Sequence, residues 1–196
     1  MGLEKFVHHR IIDFTRKLAS EDPTPGGGTA AALAGLLAAS LLEMVSKLSL
    51  KKKPDSAALS SVLSAMPAIS SGLSELMDED SAAYNAVMMA YKLPKETNAQ
   101  ESERTVAIQS ALIHAGRVPL RTARACAELF DRAEAISGEV VESIRSDWIV
   151  AREFARTGLI GGIANVEINL TSIKDQKIVE ELQSEAIELK KHLGAC

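Results

Sequence analysis

The sequence has little aromatic content and almost no cysteine, and both shortages limit the kind of protein that it encodes. Phe, Trp and Tyr make up 4% of the 196 residues, whereas alanine occurs 29 times. A core of Ala, Leu, Ile, Val and Met favours closely packed helices over a β-sandwich, whose strands are enriched in aromatic and β-branched residues. The two cysteines, Cys126 and Cys196, are too few and too distant for a disulfide framework or a zinc motif. This cysteine usage is typical of a reducing compartment, so we expect a cytoplasmic protein.

An excess of positive charge is also absent. The formal net charge is -4, which argues against a general nucleic-acid binder. The first ten residues lack the basic-then-apolar order of a signal peptide. Residues 25–42 carry no charge, but this stretch is rich in Gly and Ala and is followed by Glu43 and Lys47. It favours a helix buried in a soluble bundle over a membrane span, so we expect neither a nucleic-acid nor a membrane partner.

The spacing of apolar residues predicts one all-α domain over residues 1–196, a multi-helix bundle with long and partly kinked helices. Thr29 and Ser56 are predicted to cap the second and third helices. Pro67 is predicted to kink a helix without ending it, and a bend is predicted near Gly116 and Pro119. The predicted helices cover residues 3–20, 29–50, 55–91, 99–135, 139–156 and 175–193.

Two segments near the C-terminus combine helix-forming and helix-breaking signals. Gly158, Gly161 and Gly162 are predicted to interrupt the chain after the fifth helix. Residues 163–173 have strand-like composition, but an isolated strand would have no partner, so we predict a helix there. In the last helix, the inward-facing side chains are predicted to be Ile178, Leu182, Ile187 and Leu189.

The run from Pro25 to Thr29 is the first candidate site. Three consecutive glycines, Gly26, Gly27 and Gly28, lead directly into a predicted helix N-terminus. Backbone N–H groups without side chains in front of them can approach a ligand closely. The run lacks the Gly-Lys-Ser/Thr ending of a P-loop, and no strand precedes it as in a dinucleotide fold. A flexible turn without a ligand is the open alternative.

Carboxylates and amides in apolar helices are the second group of candidates. Asp80 and Tyr84 are one turn apart and share a face, and Asp147 follows a serine and precedes the single Trp. A carboxylate in a pocket can act as an acid or base and can stabilise a developing cation. Asn165 and Asn169 are also one turn apart, and amides on an apolar face need partners. An ordinary surface role remains the alternative for each carboxylate.

The four histidines show neither metal-ligand spacing nor an arrangement with a framed nucleophile, so no metal site is predicted. Several separated motifs together resemble the C-terminal domain family of formiminotransferase-cyclodeaminase. They occur in the family's order over residues 3 to 190. The motifs are Ser20-x-x-Pro23-Thr24-Pro25-Gly26-Gly27-Gly28-Thr29-Ala30-Ala31, Met44-Val45-x-x-Leu48, Asp80-x-x-Ala83-Tyr84, Leu93-Pro94-Lys95, Ser146-Asp147, Asn165-Val166-x-Ile168-Asn169-Leu170 and Ile173-x-Asp175.

The resemblance implies an all-helical homodimer that acts on a tetrahydrofolate derivative, with no cofactor beyond that substrate. It implies formimidoyltetrahydrofolate cyclodeaminase, which closes 5-formimidoyltetrahydrofolate to 5,10-methenyltetrahydrofolate and releases ammonia. Methenyltetrahydrofolate cyclohydrolase and a non-catalytic folate-binding helical dimer are the alternatives. The implied catalytic residues are Asp80 and Asp147. The predicted folate-binding residues at the loop and on the motifs are Pro25, Gly26, Gly27, Gly28, Tyr84, Asn165 and Asn169. Lys95 and Arg121 are predicted, as basic residues, to bind the glutamate carboxylates.

One stretch departs from the family pattern. Family members often carry Asn-x-Asn-Ala-x-Ser-Asp before the fifth helix, and this chain has Val141 and Ser143 at the two Asn positions. If those amides bind the substrate, the substrate or activity of this chain differs. The resemblance also leaves open whether the folate is polyglutamylated.

Overall fold

The computed structural model describes residues 5–194, which form six α-helices. No strand occurs in this part of the chain, so the all-α prediction is confirmed. Short 3-10 turns lie at Phe6–His8, Glu142–Ile144 and Lys191–Leu193. The helices are α1 (Ile11–Leu18), α2 (Gly27–Leu50), α3 (Ala57–Tyr91), α4 (Asn98–Ala135), α5 (Arg145–Leu170) and α6 (Gln176–Lys190).

Polar side chains begin three of these helices. The Ser56 hydroxyl accepts a hydrogen bond from the Leu59 N–H, as the predicted cap of α3 requires. Thr97 and Gln100 form a reciprocal capping box at the start of α4. The Asp175 carboxylate accepts the first free N–H groups of α6. Local sequence therefore defines these starts without help from tertiary packing.

The start of α2 differs from the prediction. Thr29 is not a cap, because α2 begins at Gly27 with Gly26 as its N-cap residue. No side chain caps the first turn. The Thr29 side chain is fully buried and its hydroxyl bonds to α3. This arrangement leaves the N–H groups of the first turn of α2 without a side-chain cap.

The predicted first helix is broken in two. His9 and Arg10 have extended backbones, so a 3-10 turn at Phe6–His8 precedes α1. The break lets Phe6 pack edge-to-face on Phe14, with ring centroids 5.9 Å apart. The Phe6 N–H donates to Asp78 Oδ1 at 2.9 Å, which binds this segment to α3. Leu3, the predicted start, lies outside the described residues.

The glycines of α5 do not interrupt it, and α5 runs unbroken through all three. A Cβ on Gly158 would lie 2.9 Å from the Ala31 carbonyl oxygen of α2, and one on Gly162 would lie 3.0 Å from the Pro119 carbonyl oxygen of α4. The glycines are therefore contact points between helix backbones. The prediction of an interruption after residue 156 is wrong, whereas the predicted helix after residue 163 is confirmed as far as Leu170.

The sulfur of Cys126 fills the junction of α2, α4 and α5. A Cβ on Gly35 would lie 2.7 Å from Cys126 Sγ, and one on Gly158 would lie 2.5 Å from it. Cys126 is fully buried. Burial raises the pKa of its thiol to about 12.

Two other predictions have mixed outcomes. Pro67 and Pro119 lie inside α3 and α4, and neither proline ends its helix. In α6, Leu182 and Leu189 are buried as predicted, but Ile187 is 52% exposed. The prediction that Ile187 faces inward is wrong, because Ala186 and not Ile187 lies on the buried face of α6.

Helix α2 lies at the centre of the bundle, between α3 and α5. Both α2 and α3 are long and apolar enough to cross a membrane, and 56% of the relevant window of α2 is buried inside the protein itself. The core helix of a soluble bundle has the same length and composition. Apolar residues of all six helices form one continuous buried core around α2.

Candidate functional site

The glycine-rich loop enters α2 beside the middle of α3. Pro25 is buried under the loop, and the Thr24–Pro25 peptide is cis. The first helical hydrogen bond of α2 runs from the Ala30 N–H to the Gly26 carbonyl at 3.0 Å. None of the three loop glycines has a positive φ. Their lack of a side chain therefore serves close approach and not an unusual backbone conformation.

Three consecutive acids of α3 face this region in three different directions, because successive residues of a helix are about 100° apart. Asp78 accepts the N–H of Phe6. Glu79 pairs with Arg121, with both carboxylate oxygens 2.7 Å from Nη1. Asp80 turns toward the glycine loop. The spacing of the acids therefore separates two structural carboxylates from one that faces the loop.

Asp80 is held by Thr29 and sits directly against Gly28. Its Oδ2 accepts a hydrogen bond from Thr29 Oγ1 at 2.9 Å. A Cβ on Gly28 would overlap the carboxylate, at 2.6 Å from its Cγ. Only a glycine at position 28 therefore leaves room for this placement of Asp80.

Burial changes the chemistry of the Asp80 carboxyl. Desolvation raises its pKa above the ordinary value for aspartate, and the hydrogen bonds from Thr29 oppose this effect in part. A raised pKa brings the group closer to the pH at which it can both take and return a proton. Perturbed carboxyl groups in clefts are typical of functional sites.

Two asparagines of α5 form the opposite wall. Asn165 Nδ2 donates to the Gly161 carbonyl at 2.8 Å, and Asn169 Nδ2 donates to the Ala115 carbonyl at 3.1 Å. A Cβ on Gly27 would lie 3.3 Å from Asn165 Nδ2, so this amide also borders the loop. Because the NH₂ groups are held by backbone carbonyls, the two side chains have fixed positions.

Together these groups enclose a cleft of about 350 Å³. Asp80 is the one charged side chain among the described residues that line it. Tyr84 and Tyr91 lie at its edge and are partly exposed. The lining residues are Pro23, Thr24, Gly26, Gly27, Gly28, Asp80, Ala83, Tyr84, Val87, Tyr91, Leu112, Ala115, Asn165, Ile168, Asn169 and Ser172.

Seven of the eleven predicted site residues line this cleft; Pro25 is buried in the loop and does not line it, and three further residues lie elsewhere. Lys95 is exposed in the loop between α3 and α4. Arg121 is occupied by its ion pair with Glu79 and borders a different surface hollow. Asp147 is in the first turn of α5, about 27 Å along the helix from Asn165 at 1.5 Å per residue. Within one chain these three side chains do not reach the cleft.

The departure at residues 141 and 143 also lies away from the cleft. The Val141 N–H donates to Ser49 Oγ at 3.4 Å, and Ser143 is exposed in the 3-10 turn before α5. Neither residue is part of the lining. The loss of the two family asparagines therefore leaves this cleft unchanged within one chain.

Several lining or supporting residues were not predicted as site residues, among them Thr29, Tyr91, Ile168 and Ser172. Thr29 is not the cap that the sequence predicts, and its place directly after three glycines is the signal that indicates close approach. Tyr91 follows Tyr84 by seven residues and so shares its face of α3. Ile168 and Ser172 gave no chemical signal in the sequence. Over the described residues, no three His, Cys, Asp or Glu side chains form a group able to hold a metal ion.

A family model and two proteins of known name resemble this chain. Residues 10–188 match the family model described as formiminotransferase-cyclodeaminase. The chain is 37% identical over 188 residues to a methenyltetrahydrofolate cyclohydrolase of Methylorubrum extorquens, covering 94% of this chain and 90% of that protein. It is 31% identical over 177 residues to the formimidoyltransferase-cyclodeaminase of Sus scrofa, of which it spans 32%.

A solved structure also shares the fold. The crystal structure of formiminotetrahydrofolate cyclodeaminase from Thermotoga maritima superposes with a TM-score of 0.83 and 26% sequence identity. The match covers 95% of this chain and 91% of that one. With nearly its whole length matched by the family model, this chain belongs to the formiminotransferase-cyclodeaminase family.

Proposed function

We propose that the cleft acts on the one-carbon bridge between N5 and N10 of tetrahydrofolate, and that the chain is a methenyltetrahydrofolate cyclohydrolase. The observation that carries the chemistry at the bridge is the single carboxylate, Asp80, with a raised pKa in an otherwise uncharged cleft. The methenyl bridge is a cation, and a carboxylate facing it supplies the counter-charge. The Methylorubrum extorquens relative, which this chain matches over nearly its full length, supports the same choice.

The proposed reaction needs one group that moves protons. A water molecule attacks the methenyl carbon, and Asp80 takes one of its protons as the new C–O bond forms. The adduct is a neutral carbinolamine. The bond from its carbon to N5 then breaks, the remaining hydroxyl proton is lost as the formyl C=O forms, and Asp80 returns a proton to N5. The products are 10-formyltetrahydrofolate and one released proton.

Cyclodeamination is the second candidate. It is favoured by the structural match to the Thermotoga maritima protein and by the motifs that resemble the family. Here N10 attacks the carbon of the protonated formimidoyl group, the proton of N10 moves to the departing nitrogen, and the bond from the carbon to that nitrogen breaks. Ammonia leaves and the methenyl cation remains. Asp80 can carry this proton as well, so the two reactions make the same demand on the cleft.

The other lining groups suit folate binding. Apolar contacts from Val87, Leu112 and Ile168 match the flat rings of a folate. The fixed amides of Asn165 and Asn169 can hydrogen-bond to the polar edge of the pterin ring. The proposed hydrolysis uses the folate, one water molecule and these side chains.

The test is to supply both folates to the purified protein. We expect the protein to hydrolyse methenyltetrahydrofolate, which is measured as a loss of methenyl absorbance. Asp80→Asn should abolish most of this activity, and Asp147→Asn is its matched control. Formation of methenyl absorbance with ammonia release from formimidoyltetrahydrofolate would instead assign the cyclodeaminase. Folate binding without turnover of either compound would assign the non-catalytic alternative, and no binding would overturn the folate site.

We also propose that the partner is a second copy of the chain. Exposed apolar side chains lie on the adjoining helices α2 and α5: Leu37 is 41% exposed, and Val150 and Ile160 are 45% and 44% exposed. Such a surface is typical of an interface. Sedimentation at micromolar concentration should give a dimer, Leu37→Glu should give a monomer, and Val106→Glu on α4 should not. A monomeric wild type overturns this proposal.

A further inference from the structure

A second hollow adjoins the cleft. It has a volume of about 340 Å³ and shares Tyr91 and Ser172 with the cleft. Its other lining residues come from α4 and from the turn after α5: Arg104, Thr105, Ile108, Gln109 and Lys174. We call these residues, with Tyr91 and Ser172, the basic hollow. The cleft and the basic hollow therefore meet at Tyr91 and Ser172.

Arg104 is fixed but keeps an unneutralised charge. Its Nε and Nη2 donate to the Tyr91 carbonyl at 3.3 and 3.1 Å, and its guanidinium lies 5.8 Å from the centre of the Tyr91 ring. Within residues 5–194, no carboxylate forms an ion pair with it. Arg121 and Arg124, by contrast, are both paired with glutamates. The unpaired charge of Arg104 is therefore available to an anionic ligand.

The second cation of the hollow is held through its backbone. The Lys174 N–H donates to Gln109 Oε1 at 2.8 Å, and Gln109 Nε2 donates to the Ser172 carbonyl at 3.3 Å. Gln109 thus ties the turn after α5 to α4. No ion pair of the Lys174 ammonium occurs within the described part of the chain. Two cations from different helical segments therefore face one hollow.

We propose that the basic hollow binds the glutamate carboxylates of the folate whose one-carbon bridge occupies the cleft. This inference rests on the proposed function. A folate is anionic at the end opposite to its pterin ring, with an apolar benzoyl group between them. The arrangement here has the same order: a polar cleft end at Asp80, the aromatic edge at Tyr91, and then Arg104 and Lys174. This assigns to Arg104 and Lys174 the role that we predicted from the sequence for Lys95 and Arg121.

Binding of two stable probes separates the hollow from the reaction. The probes are 5-formyltetrahydrofolate and 5-formyltetrahydropteroate, which lacks the glutamate, and calorimetry gives the two Kd values. We expect the wild type to bind the first probe about tenfold or more tightly than the second, because charge-assisted hydrogen bonds are lost with the glutamate. Raised salt should reduce this difference.

Arg104→Gln and Lys174→Gln should each weaken binding of the glutamate-bearing probe by roughly three- to tenfold and leave the other probe unchanged. Lys177→Gln and Arg117→Gln are matched controls on neighbouring surface positions and should change neither Kd. Lys174 is exposed, so its variant tests the proposal even if Arg104→Gln lowers stability.

The outcomes distinguish this inference from the proposed function. If the wild type turns over a folate but binds both probes equally, or if both variants retain the preference, the basic hollow is not the glutamate site. If the preference depends on Arg104 and Lys174 but neither folate is converted, the basic hollow stands and the catalytic proposal fails. If the wild type binds neither probe, both proposals fail.

Discussion

The two halves of α5 differ in what they pack against. In the N-terminal half, the Trp148 indole donates to the Ala133 carbonyl at 2.8 Å and the Arg145 guanidinium lies 5.0 Å from the Trp148 ring centre. In the C-terminal half, Asn165 and Asn169 border a cleft completed by α2 and α3. Both halves carry residues that match the family motifs. Membership of a motif therefore did not distinguish a residue that packs from one that lines a cleft.

The difference shows what a carboxylate needs to become reactive. Asp80 has a neighbouring helix start, a hydrogen-bond donor in Thr29 and apolar neighbours that raise its pKa. Asp147 lies in the partly exposed first turn of α5, where a carboxylate is favoured by the helix dipole. Each environment explains the presence of an acid, but only Asp80 faces the cleft. The following experiments test this comparison.

The largest expected effect comes from replacing each of the two acids, Asp80 and Asp147, by asparagine in separate variants. Asp80→Asn should lower kcat by about 10²–10⁴, because it removes the proton carrier while keeping size and hydrogen bonding. Asp147→Asn should remain near the wild-type rate. Turnover of both folates by absorbance checks the pair. Equal losses in both variants would mean that Asp147 of α5 serves the reaction as much as Asp80 of α3, and the comparison of the two acids would fail.

The second experiment moves Asp80 without changing it. Gly28→Ala places a methyl group 2.6 Å from the Asp80 Cγ, so the carboxylate must shift, and we expect kcat to fall by about 10². Gly26→Ala is the control, because its methyl group meets the Pro23 carbonyl at an ordinary 3.7 Å. Melting temperatures should be measured for both. A fully active Gly28→Ala enzyme would contradict the assigned position of Asp80.

The third experiment compares the stability of the two halves. Asn169→Ala removes hydrogen bonds to the carbonyls of Ala115 and Asn165, and should lower the free energy of unfolding by about 1–2 kcal/mol. Asp147→Ala should change it by at most about 0.5 kcal/mol, as for other substitutions without a buried partner. Urea denaturation followed by circular dichroism measures both. A larger loss for Asp147→Ala would reverse the comparison.

The smallest expected effect is a pH dependence of stability. Because the pKa of Asp80 is raised in the folded protein, the folded state binds more protons than the unfolded state between the two pKa values. The contribution of Asp80 to stability is then fully present below the unfolded pKa and is lost as the pH rises through the folded pKa. Asp80→Asn should accordingly melt above the wild type at neutral pH, and this gain should shrink below about pH 4. If the increase in melting temperature of Asp80→Asn does not depend on pH, the titration of Asp80 is not its cause.

The sequence was sufficient for the helices that local chemistry defines, and insufficient where packing decides. The cap of Ser56 and the length of α3 were predictable because they depend on neighbouring residues. The continuity of α5 was not, because Gly158 and Gly162 acquire their purpose from backbones of α2 and α4 that are distant in sequence. The cleft was partly predictable: Asp80 and the glycines carry a chemical signal. The failure of Arg121 to reach the cleft follows from Glu79, whose pairing depends on how α3 meets α4.

The buried sulfur of Cys126, at the junction of α2, α4 and α5, allows separation of these helices to be measured by thiol labelling. A thiol reagent reacts with the thiolate, and a pKa of about 12 together with complete burial keeps Cys126 inert while the junction is closed. In a Cys196→Ser background, each labelling event at Cys126 therefore records a separation of the three helices. The rate of labelling, compared with that of the unfolded chain, yields the free energy of that separation. Comparing the labelling rate with and without a folate would show how much ligand binding in the cleft stabilises the junction of the three helices.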